Sequence, residues 1–193
     1  MKITKEEKLK LFEESDALLK ALYWFFAYPN KEIGLSDLAK ETGVSKVTAN
    51  RVVAKLIEEE FLEKEILGKT WRISCNLEHR YNLSVKVPFH LTQIYEKGVV
   101  DTILKKIPNA KATILFGSYR KGDDNNTSDI DIAVEITGDE EPKTIQLGIL
   151  EQIGYRKNVP VQLHIFSRNK VDLNLFSNIS NGIVLSGFLE AHP

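Results

Sequence analysis

Apolar residues recur at a helical period through the first sixty positions and at a period of two in several runs beyond residue 110. Leu11, Leu18, Leu22 and Phe25 share one helical face, and Phe12, Leu19 and Phe26 widen it. This predicts a helix from Thr4 to Ala27, stopped by Pro29-Asn30. The cluster Tyr23-Trp24-Phe25-Phe26 reads as core, with a homodimer seam as the sharper alternative. Ser36 is placed to cap a short helix that turns Leu38 and Ala39 inward, and Gly43 supplies the turn. Ser45 then caps a helix from Lys46 to about Glu60, with Val47, Val52, Leu56 and Ile57 expected inside. Lys46, Thr48, Asn50 and Arg51 are its early exposed positions. Phe61 to Ile66 alternates as a strand, Leu67-Gly68-Lys69 turns, and Thr70 to Ser74 returns.

The irregular run from Asn76 to Pro88 reads as a linker, dividing the chain into segments 1–88 and 89–193. Phe89 to Ile107 is then predicted helical, ending at Pro108, and Ala112 to Phe116 is an apolar strand. Ile132-Ala133-Val134 forms the body of another strand. Pro142, in the first-turn position that proline favours, predicts a helix over about Lys143 to Gly154. From Val159 to Phe166, alternation puts Val161, Leu163 and Ile165 on one face and Gln162 and His164 on the other. Ser167 is placed to cap a last helix, about Asn169 to Ser180. These elements predict an α+β fold whose second half is a mixed sheet with helices packed on one side.

Chemistry concentrates between the first two strands of that half. Gly117-Ser118 follows a strand, where a tight turn frees backbone N–H groups able to cradle phosphate. Asp129 and Asp131 stand two apart at the start of the next strand, which turns both carboxylates to one side. Paired carboxylates suit Mg²⁺, which is commonly held by one or two of them together with substrate phosphates. Arg120 and Lys121 stand in the intervening loop, where they either neutralise phosphate charge or simply face solvent.

A Gly-Ser pair, ten residues, then Asp-x-Asp resembles the signature of the nucleotidyltransferase superfamily related to DNA polymerase beta, in its minimal form. Gly122, Ser128 and the apolar residues after Asp131 extend the resemblance, which covers about Phe89 to Gly187. It implies Mg²⁺-dependent transfer of a nucleoside monophosphate from a nucleoside triphosphate to a hydroxyl. Gly117, Ser118 and Lys121 would hold phosphate, and Asp129 and Asp131 would hold the metal. It also implies a third carboxylate on a later strand. Gln162 stands where that acid is expected, and it is neutral and a poor proton acceptor. His164, on the same face, is either a replacement base or a polar residue on a half-exposed strand. Minimal members of the superfamily also suggest a toxin–antitoxin setting with a partner protein.

Helix, turn, helix and hairpin over about residues 15–75 resemble the winged helix-turn-helix domains of transcription regulators. That resemblance implies duplex-DNA binding, with Asn50 and Arg51 at base edges behind Lys46. Ser45 and Thr48 would meet phosphate, and Lys69 and Arg72 the flanking backbone. Residues 1–90 carry 15 basic and 14 acidic side chains, about +1, a thin electrostatic footprint. Winged helices also serve as protein-contact modules. A net charge of −1 overall excludes a broadly basic coat. A single cysteine, Cys75, excludes an internal disulfide, and the charged N-terminal residues and lack of a long apolar run point to a cytoplasmic protein. Beside the enzyme stands a second reading, a non-catalytic DNA-binding regulator or antitoxin-like protein with a degenerate nucleotide site, which Gln162 favours.

Overall fold

The computed structural model describes residues 16–68 and 70–190. The chain forms two compact units, one ending at His79 and the other beginning at Arg80. The first contains α1 (Asp16–Ala27), α2 (Leu35–Thr42), α3 (Lys46–Glu58), β1 (Leu62–Leu67) and β2 (Thr70–Cys75). Positions 4–15 of the first expected helix, with Leu11 and Phe12, lie outside the described residues, as does Lys69. Trp24, Phe25 and Phe26 are buried core, and the rings of Phe25 and Phe26 meet Phe61 edge-on.

Gly43 takes the left-handed conformation at the end of α2, and the Ser45 hydroxyl accepts the N–H of Thr48 at 3.0 Å, capping α3. Ser36 is no cap: it lies inside α2, which begins at Leu35 after Gly34 and has no side-chain cap. The buried stripe of α3 is Ala49, Val52, Val53 and Leu56. Val47, expected inside, is 77% exposed because it lies on the opposite side of the helix from that stripe. β1 and β2 pair antiparallel from Leu62↔Cys75 to Leu67↔Thr70. Ile33 bridges Ile73 through two backbone hydrogen bonds of 2.9 Å.

The second unit contains α4 (Tyr81–Ser84), α5 (Lys86–Glu96), α6 (Val99–Lys106), β3 (Ala110–Phe116), α7 (Gly117–Lys121), β4 (Ile130–Ile136), β5 (Lys143–Ile153), β6 (Arg156–Ser167), α8 (Leu173–Ser180) and β7 (Ile183–Gly187). The sheet order is β5-β6-β4-β3-β7, with β4 and β6 parallel and the other pairs antiparallel. Residues 80–88, expected in a linker, build α4 and the start of α5, and Lys86 is 1% exposed. The single helix expected from Phe89 to Ile107 is two, separated at Gly98, whose φ of 66° breaks the helical path.

The helix expected at Lys143 to Gly154 is β5. Ile145, Ile149, Leu150 and Ile153 fit a helical spacing, but this segment pairs with β6 along nearly its whole length, and a bulge between Gln146 and Gly148 interrupts its period of two. Ser167 is not the cap of the last helix. It is fully buried and its hydroxyl accepts the N–H of Glu140, while Asp172 caps α8 by accepting from Asn174 and Leu175.

Helices lie on both faces of the sheet rather than one. Ile94, Val99, Val100 and Ile103 of α5 and α6 pack with Ile132, Val134, Val161, Leu163 and Ile165. Ile179, Leu175 and Phe176 of α8 pack with Ala112, Ile114, Ala133 and Phe166 across the sheet. The physical reason is that β3 carries apolar residues on both faces, so each must be covered. Glu135, a buried acid on β4, is held by both nitrogens of a fork from Arg168, at 2.9 and 3.2 Å. Among the described residues no helix is long and apolar enough to cross a membrane.

Candidate active site

Gly117 follows β3 and opens α7, a five-residue helix, with a φ of 69° that a side chain would strain. A Cβ there would stand 2.7 Å from Oδ2 of Asp131. The carboxylate therefore lies directly against the Gly-Ser backbone, and no other residue type admits it so closely. β3 and β4 are in register here, with Phe116 opposite Asp131. Asp129 precedes β4 by one residue and, like Ser118, is half-buried. Lys121 is exposed and Arg120 half-buried, its Nε enclosed without a hydrogen-bond partner.

Parallel pairing sets Asp131 beside Gln162 and Ala133 beside His164. The methyl of Ala133 leaves room for the imidazole to lean toward the acid, and His164 Nε2 lies 3.0 Å from Asp131 Oδ1. The Phe116 ring meets the imidazole edge-on, with centroids 5.0 Å apart. Of the two residues that stand for the missing acid, His164 thus touches Asp131, and Gln162 is its neighbour in register.

Asp131, whose carboxylate lies against Gly117, and Asp129, two residues before it, offer the oxygen donors that Mg²⁺ takes. Among the described residues no three of His, Cys, Asp and Glu converge as a metal cage. A cation here would complete its shell with phosphate oxygens and water.

The loop between the Gly-Ser backbone and Asp129 is pinned by two buried cations that sequence reading missed. Lys86 Nζ donates to the carbonyls of Gly122 (3.2 Å) and Asp124 (2.6 Å) and lies 3.0 Å from Asp124 Oδ1. Arg156 Nη2 donates to the Ser128 carbonyl at 2.6 Å, and its Nη1 donates to the Tyr119 hydroxyl. The carbonyl next to Asp129 is fixed in this way from β6. The pairs are 28 to 38 residues apart in sequence, and no local pattern links them.

His90 is 3% exposed, and its ring packs on that of Tyr119 with centroids 4.4 Å apart, tilted by 41°. Its Nδ1 lies 3.5 Å from the Tyr119 carbonyl and 3.7 Å from Asp124 Oδ1. Burial, then the Lys86 charge, lowers its pKa from 6.5 to about 3. Burial pushes the Asp124 carboxyl up to about 6, against the downward pull of Lys86. The two oppose each other in acid. Below 6.5 the unfolded chain protonates at His90 and the fold does not, so stability falls. Between about 6 and 4 the fold gains a proton at Asp124 that the unfolded chain lacks, which offsets it. Below about 4 only the His90 loss remains. In His90→Gln the first effect is gone, so stability relative to the parent should improve by about 1.4 kcal/mol per pH unit from about 6.5 down to about 3. Urea unfolding at a series of pH values measures this; a pH-independent difference would place the titrating proton elsewhere.

The expected DNA-contacting residues divide. Lys46, Asn50 and Arg51 share the exposed side of α3 with Val47. The hydroxyls of Ser45 and Thr48 are engaged with each other at 2.9 Å in the cap. Arg72 is paired with Glu32 at 3.1 Å and Glu65 at 3.4 Å.

The family model described as Polymerase beta, Nucleotidyltransferase matches residues 99–187, a span holding Gly117, Asp129, Asp131 and His164. The match supports the nucleotidyltransferase superfamily for this segment. No curated protein matches the chain.

Proposed function

We propose that the nucleotidyltransferase domain at residues 99–187 transfers a nucleoside monophosphate from a nucleoside triphosphate to an acceptor hydroxyl in a Mg²⁺-dependent reaction. The observation that carries this reading is the contact of Asp131 with the backbone of Gly117, which joins a phosphate cradle to a cation seat. Gly117 and Ser118 hold the β- and γ-phosphates, Lys121 neutralises their charge, and Asp129 and Asp131 hold the cation. Bound there, Mg²⁺ would polarise the α-phosphate and offset charge on the departing pyrophosphate. The protein's own contribution is alignment: Lys86 and Arg156 hold the loop, so the acids need no reordering when substrate arrives. The test is incubation with α-phosphate-labelled nucleoside triphosphates, Mg²⁺ and cell extract. A labelled product with equimolar pyrophosphate supports transfer; substrate left intact with every acceptor opposes it.

The neutral side chain of Gln162 beside Asp131 favours a second reading, in which the domain binds nucleotide without turnover and serves a DNA-binding regulator. Both readings take the N-terminal unit as a winged helix whose α3 enters the major groove. Lys46, Asn50 and Arg51 on one exposed side support this, and Val47 adds a methyl surface suited to thymine. Full-length protein should shift duplex DNA, with affinity falling steeply as salt rises. Arg51→Ala should cost about 1–3 kcal/mol at its preferred sequence and relax the preference. Absence of a shift at low salt would leave α3 as a protein-contact surface.

A further inference from the structure

We propose that the acceptor hydroxyl is the protein's own, that of Thr144. The inference rests on the nucleotidyltransferase reading and names the substrate of that site. Thr144 lies on β5, exposed, directly opposite His164 in the β5–β6 register. Its Oγ1 is 3.2 Å from His164 Nδ1, and His164 Nε2 is 3.0 Å from Asp131 Oδ1. With Nε2 turned to the carboxylate of Asp131, Nδ1 is the ring atom that faces the Thr144 hydroxyl. Hydroxyl, imidazole and carboxylate thus stand in line, the arrangement that activates an oxygen nucleophile. Phe116, edge-on to the ring, holds the plane of the imidazole.

Reach is consistent with the role. Thr144 stands two strands across from Asp131 and two residues along, since it is level with His164 and Ala133 while Asp131 is level with Gln162. The imidazole, in contact with both side chains, spans that gap, so the hydroxyl and the Asp131 carboxylate open on the same face of the sheet. In the step, Thr144 Oγ1 attacks the α-phosphorus and the bond from phosphorus to the bridging oxygen of the β-phosphate breaks. Pyrophosphate leaves with that electron pair. The hydroxyl proton passes to His164 Nδ1, and the imidazolium formed is stabilised by Asp131 until it loses the proton to water. The product is a phosphodiester between Thr144 and a nucleoside monophosphate, and no oxidant or reductant is needed.

The full chain is incubated with each nucleoside triphosphate and Mg²⁺, denatured, weighed intact and mapped by peptide mass. The expected result is one added nucleoside monophosphate on the peptide holding Thr144. Thr144→Ser should keep the adduct and Thr144→Val should lose it. His164→Ala should slow its formation by about 10²–10⁴-fold. An adduct that persists in Thr144→Val overturns the proposal. Mg²⁺-dependent nucleotide binding without any adduct also overturns it and leaves the nucleotidyltransferase reading standing. Absence of nucleotide binding overturns both.

Discussion

Exchanging Asp129 and Asp131 together for asparagine is expected to lower nucleotidyl transfer by at least about 10³-fold while leaving the fold in place. Single electrostatic groups aimed at developing charge commonly contribute about 10²–10³-fold each, and here two are removed with the cation they would hold. Shape is conserved, and the amide oxygen introduced at position 131 can still accept from His164 Nε2. The side chain of Asp131 is 30% exposed, so the exchange leaves no buried void. Thermal unfolding should be unchanged or shifted slightly upward, because two nearby like charges are lost. Rates and melting curves measured on one preparation separate the outcomes. A drop in rate with an equal loss of folded protein would mean that the acids are structural.

Gly122→Ala should damage the fold itself. Gly122 closes α7 in the left-handed conformation with a φ of 78°. A Cβ there would stand 1.9 Å from the carbonyl oxygen of Asn82 and 2.7 Å from its carbon, so backbone must yield to backbone. The carbonyl of Gly122 also accepts from buried Lys86, and displacing it would leave that ammonium poorly paired. Left-handed strain, a backbone clash and a weakened buried pair together put the cost above about 4 kcal/mol, beyond most single substitutions. Gly148→Ala is the control. Its Cβ would meet nothing within 4 Å, so a change below about 1 kcal/mol is expected. Denaturant unfolding of the second unit compares the two; similar midpoints would mean that the loop tolerates displacement from α4.

Chemistry that depends on short spacing was legible in the sequence. Gly117-Ser118 and Asp129-Ile130-Asp131 were visible because each is a local device, and the structure adds that Asp131 rests on Gly117. The faces of β6 were also legible, since Val161, Leu163 and Ile165 alternate strictly with Gln162 and His164. β5 was not. Its apolar residues fit a helix as well as a bulged strand, and only pairing with β6 decides between them. That pairing brings Thr144 to His164, so the hydroxyl was invisible while the segment read as a helix. Lys86, His90, Asp124 and Arg156 escaped for a related reason. Isolated charges and a lone histidine resemble surface residues until distant elements enclose them.

The central claim is that residues 117–131 form a cation-assisted nucleotide site. Calorimetric titration of the full chain with a nucleoside triphosphate carrying a methylene bridge between its α- and β-phosphates tests this without turnover. Binding should require Mg²⁺, should disappear with chelator, and should be lost when Asp129 and Asp131 are both exchanged for asparagine. Equal affinity with and without Mg²⁺, or in the parent and the doubly substituted protein, would contradict it.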